Sequence, residues 1–177
     1  MKISSFSKCF TLVEVLVVLG VVSLLTLLVL PQYRKGEGSL ALQRAAHQLV
    51  QDIRRTQEMA TSATEINGVP PRYGINFDLS SPNSYFLFAD INDNGTYQPS
   101  DEVIETISLE SKVSLHQLLL GDPPSSKTNA SITFSPPDPT TEIRDPGGPF
   151  SVVLIQLIGE DQIKSIRVNE AGLIYVE

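Results

Sequence analysis

The chain has 177 residues, of which 41% are hydrophobic and 19% charged, with a formal net charge of -7. That length suits one domain of roughly 100 to 150 residues plus an appendage and excludes two ordinary domains. Beyond Lys2 and Lys8 the chain carries 11 basic against 20 acidic residues, a balance that disfavours broad electrostatic attachment to nucleic acid or anionic lipid.

Residues 1–9 form a short basic leader ending in Cys9, the single cysteine, so no intrachain disulfide can form. From Phe10 to Leu30 the sequence reads FTLVEVLVVLGVVSLLTLLVL. At about 1.5 Å per residue this run matches a hydrocarbon core of roughly 30 Å, so a single membrane-spanning helix is expected over residues 10–31. A basic leader before it and a long acidic body after it place the N-terminus in the cytoplasm and the body outside. A secretory signal peptide fits less well, because the apolar run exceeds about 7 to 15 residues and Leu30-Pro31-Gln32-Tyr33 has no small-x-small site.

Glu14 is the informative residue of this segment. An ionisable side chain within a span costs about 2.5 to 3.5 kcal/mol and is functional by default. A cut between Cys9 and Phe10 would free an α-amino group just ahead of Glu14, and in a stack of similar helices one carboxylate could meet the next amine.

These residues resemble the N-terminal processing motif of type IV pilins and type II secretion pseudopilins. The resemblance implies cleavage by a prepilin peptidase between Cys9 and Phe10, N-methylation of Phe10, Glu14 as the assembly glutamate and Pro31 as a helix-kinking proline. One departure is that Cys9 stands where the family has glycine. The resemblance further implies a single-pass protein of the bacterial inner membrane with its C-terminal domain periplasmic or extracellular. Its implied partners are other pilin or pseudopilin subunits, the peptidase and an inner-membrane assembly platform.

Gly36 and Gly38 follow and are read as able to flex or interrupt the helix. Over residues 32–66 an amphipathic continuation is expected, since Leu42, Ala45, Leu49, Ile53, Thr56 and Ala60 recur at three and four. Arg44, Arg54 and Arg55 lie off that face and are read as solvated. His47 has no second ligand-type residue one turn away other than Gln43 and Gln51, which argues against zinc.

Asn67-Gly68 and Pro70-Pro71 end the helix, and residues 67–177 read as a β-rich globular domain. Tyr73, Ile75, Phe77 and Leu79 alternate with polar residues, and SYFLFADI returns after the turn SSPNS. VIETISL, KVSLHQLLL, ASITFS, SVVLIQLI, IKSIRVN and GLIYVE are further strands, while GDPPSSKTNA and PPDPTTEIRDPGGP read as exposed Pro-rich loops. The fold class expected is α+β: a long N-terminal helix, half transmembrane and half amphipathic, packed on an antiparallel sheet. That layout is similar to the minor pseudopilins of the GspH/FimT type.

Asp90, Asn92, Asn94 and Gly95 follow the D-x-N-x-N-G spacing of calcium loops, with Asp101 and Glu102 where a closing carboxylate falls. Strands rather than helices flank the segment, so a hairpin turn closed by Asx side chains is the other reading. Calcium is thus the one candidate cofactor, and none is required.

The function expected is that of a structural minor subunit, a pseudopilin or minor pilin, of a type II secretion or type IV pilus filament. The alternative is a pilus-tip module that binds DNA or a surface, for which Lys164 and Arg167 are a small basic pair against the acidic balance. An enzyme is not expected: no G-x-S-x-G, H-E-x-x-H or phosphate loop occurs, and the two histidines are His47 and His116.

Overall fold

The computed structural model describes residues 11–62, 68, 70–136, 140–160 and 162–177, with the backbone alone over 28–36. One helix, α1 (Leu12–Thr61), is followed by eleven strands among these residues. The chain divides into two compact units, Met1–Glu37 and Gly38–Glu177.

In the first unit Thr11 caps the helix. Its hydroxyl and its carbonyl accept the Glu14 amide at 3.3 and 3.1 Å, satisfying a donor that the first turn leaves open. Residues 12–27 are exposed on every side, including Leu12, Leu16, Leu19, Leu24 and Leu27. No helix among the described residues is long and apolar enough to cross a membrane. The described side chains of the apolar portion, residues 12–27, cover only about 24 Å of helix against a hydrocarbon thickness of roughly 30 Å. The expected transmembrane helix and single-pass inner-membrane placement are therefore not supported.

In the second unit α1 buries Ala41, Leu42, Ala45, Ala46, Leu49, Ile53, Thr56 and Ala60, the stripe that three-and-four spacing dictates. The helix runs through Gly36 and Gly38, the two residues read as able to flex or interrupt it, without a break. A Cβ on Gly38 would stand 2.5 Å from the carboxyl carbon of Glu160, the far end of a flexible side chain. α1 ends at Thr61, and residues 63–67, which were expected to carry it to 66, lie outside the described residues.

The strands are β1 (Arg72–Asp78), β2 (Ser84–Asp90), β3 (Glu102–Ser108), β4 (Val113–Leu120), β5 (Ser125–Lys127), β6 (Asn129–Ser135), β7 (Thr140–Asp145), β8 (Gly148–Phe150), β9 (Val152–Gly159), β10 (Gln162–Asn169) and β11 (Ile174–Val176). They pair antiparallel into two sheets, one ordered β3-β2-β1-β6-β7-β8 and the other β11-β10-β9-β4-β5. The expected architecture of a long N-terminal helix on an antiparallel sheet is thereby corrected. The body is dominated by two antiparallel sheets, and the apolar start of α1 is not part of the β-rich unit.

Three strands form in segments expected to be loops: β5 in GDPPSSKTNA, β7 in PPDPTTEIRDPGGP and β8 at its end, running one residue past it to Phe150. Each lies at or next to a sheet edge, where proline is tolerated because the outer N–H needs no ladder partner. Period two explains the core: Tyr73, Ile75 and Phe77 on β1 share one buried cluster with Leu87, Ile132 and Phe134, with Leu118, Ile155 and Ile166 of the other sheet, and with the α1 stripe.

Polar contacts fix the helix on this core. Tyr85 donates its hydroxyl to Asp52 at 2.7 Å, and burial together with that carboxylate pushes the phenol far above its ordinary value. Arg44 donates two hydrogen bonds of 2.9 Å to Glu110, and Arg55 meets Glu105 at 2.7 Å. These two arginines are thus paired rather than simply solvated, whereas Arg54 has no ion-pair partner among the described residues.

Candidate functional sites

The sequence singled out two places, the start of α1 and the D-x-N-x-N-G loop. Cys9 and Phe10 lie outside the described residues. Glu14 sits in the first turn of α1, exposed, as the one acid among the side chains of residues 12–27. A carboxylate there complements the positive end of the helix dipole. Pro31 lies inside α1, which continues on both sides of it.

The loop of residues 91–101 joins β2 to β3. Asp90 is 1% exposed and accepts the amides of Gly95 at 2.7 Å and Asn94 at 3.2 Å, one on each oxygen. Burial raises its carboxyl above the ordinary value and nearby Asp101 adds to this, while the two amides and Arg72 oppose it. Asn92 accepts the Asn94 amide at 3.2 Å, and Asn94 accepts that of Thr96 at 2.8 Å. Asp101 accepts Gln98 N–H at 2.7 Å and Ile91 N–H at 3.3 Å. Glu102 is exposed at the start of β3.

All four carboxylate oxygens of Asp90 and Asp101 therefore already accept backbone amides, and the two asparagine oxygens close local turns. Among the described residues no group of three or more His, Cys, Asp or Glu is gathered to hold a metal ion. Here these donors form a hydrogen-bonded turn closed by Asx side chains, the second of the two readings of the motif. Asp93 and Gly95, with φ of 59° and 76°, supply the left-handed steps that bring the chain back.

What the loop covers was not visible in the motif. The second face of the larger sheet carries Gly74, Asn76, Phe88, Ser131 and Thr133, all buried. Tyr97 lies over it, with its ring centroid 4.5 Å from Phe86 and 5.5 Å from Phe88. Its amide donates to Ser131 at 3.3 Å, and Ser131 donates to Asn76 at 2.8 Å. The small and polar residues on that face of β1 and β6 were the available signal.

A charged group ties the loop to the sheet. Arg72, the first residue of β1, is ion-paired with Asp93 of the loop and, at 2.5 Å, with Glu142 of β7. Arg144 donates to the other Glu142 oxygen at 2.7 Å. No protein-family model, curated protein or solved structure matches the chain.

Proposed function

We propose that the chain is a structural minor subunit of a type IV pilin-like filament, of a pilus or type II secretion system, assembled through its N-terminal helix. The observation that carries this reading is the start of α1: residues 12–27 are apolar on all sides and exposed, with a single carboxylate, Glu14, in the first turn. A helix apolar all round needs covering, and identical helices stacked side by side supply the cover. Glu14 then meets the α-amine that cleavage between Cys9 and Phe10 frees on a neighbour, which offsets the cost of burying the acid.

The experiment is co-expression with a prepilin peptidase and the other filament subunits, followed by mass spectrometry of the N-terminus and recovery of sheared filaments. A chain that begins at methylated Phe10 and co-purifies with filaments supports the proposal. Recovery of only full-length chain starting at Met1, or filaments that incorporate Glu14→Ala as well as wild type, would refute it.

A further inference from the structure

A positive charge stands among the acids around the D-x-N-x-N-G loop. In the register of β1 and β2, Arg72 is the direct partner of Asp90. Its guanidinium also pairs with Asp93 in the loop and Glu142 on β7, on two separate nitrogens. Its side chain is only 25% exposed. A planar guanidinium presents several donors in a fixed fork and can hold two carboxylates at once, which an ammonium cannot do with the same geometry.

We propose that Arg72 is the built-in cation of this loop: it closes residues 91–101 over the outer face of the larger sheet, in the role a divalent metal ion plays in loops of the same spacing. Two consequences follow. The loop holds its shape in the presence of a chelator, and the subunit's order does not depend on the calcium level of the compartment. The inference is independent of what the N-terminal helix does. A cavity of about 480 Å³ is bordered by Arg72, Asp90 and Asp93.

The test is thermal unfolding of the full chain in EGTA and in millimolar calcium, with hydrogen exchange at Gly95 and Tyr97 as the local readout. Wild type is expected to show the same Tm in both buffers. Arg72→Met is expected to lower Tm by about 3 to 9 °C and to speed exchange at the two amides, with Arg72→Lys in between. The triple variant Arg72→Met, Asp93→Asn, Glu142→Gln, which removes the cation together with its acids, is expected to recover at least half of the lost Tm. A calcium-dependent rise of the wild-type Tm overturns the proposal, as does an Arg72→Met protein with unchanged Tm and exchange. If Arg72→Met does not fold, the triple variant decides: regained folding supports the proposal, and a chain that stays unfolded overturns it.

Discussion

Two glycines show how the same residue answers to different neighbours. A Cβ on Gly38 would meet the end of Glu160, a half-exposed side chain paired with Lys112 at 3.5 Å and free to swing away. Alanine also favours the helix by about 0.8 to 1 kcal/mol over glycine, so Gly38→Ala is expected to leave stability within about 0.5 kcal/mol of wild type or raise it slightly. A Cβ on Gly74 would stand 2.6 Å from the Phe88 ring and 2.8 Å from the Thr133 methyl, both buried between sheet and loop. Gly74→Ala is expected to cost about 1 to 3 kcal/mol. Urea unfolding of both variants checks the pair, and equal effects would show that the loop does not press on the sheet as described. The D-x-N-x-N-G motif was legible in the sequence because its ligand-type residues are adjacent. Its partners Arg72, Ser131 and Glu142 were not, because the fold brings them together from distant positions.

At the scale of elements, most strands could be read from apolar alternation: β9 and most of β4 bury alternate side chains, while β1 and β6 place apolar residues at period two on one face and bury small or polar residues on the other. β5, β7 and β8 escaped because they are short, sit among prolines and are specified by pairing across the molecule. Lys127 on β5 meets Asp145 at the end of β7 at 2.7 Å and lies 5.1 Å from the Phe150 ring of β8, so one cation joins the edges of the two sheets. Burial alone would raise the Asp145 carboxyl. The hydrogen bond and charge of Lys127, with the amides of Gly147 and Gly148, outweigh it and hold the group below its ordinary value. A carboxyl lowered in the folded state adds stability above its unfolded pKa and loses that stability as pH falls through the folded value. Lys127→Met is thus expected to cost about 1 to 3 kcal/mol near neutrality. The stability gap between wild type and Asp145→Asn is expected to shrink from about pH 6 to about pH 3 in urea titrations. A constant gap over that range would mean that the pair joins the sheets by shape alone.

For the whole molecule, the contrast between the two units sets how the chain associates. Within Gly38–Glu177 the apolar side chains of helix and sheets share one buried core, whereas residues 12–27 leave theirs uncovered. A fragment beginning at Gly38 is therefore expected to stay monomeric and to unfold in one cooperative transition, while the full chain self-associates, as sedimentation velocity would show. Under the proposed function, Glu14 separates ordered from disordered association. Apolar contacts between identical helices are indifferent to register, and one buried polar residue imposes a register at some cost in stability. Glu14→Ala is accordingly expected to increase light scattering by the isolated full chain and to abolish its incorporation into filaments. The two readouts move in opposite directions because the substitution removes a cost from any contact while removing the pairing that selects one. A variant that scatters less and also fails to incorporate would instead point to a general loss of helix packing, and Glu14 would then have no role in choosing the register.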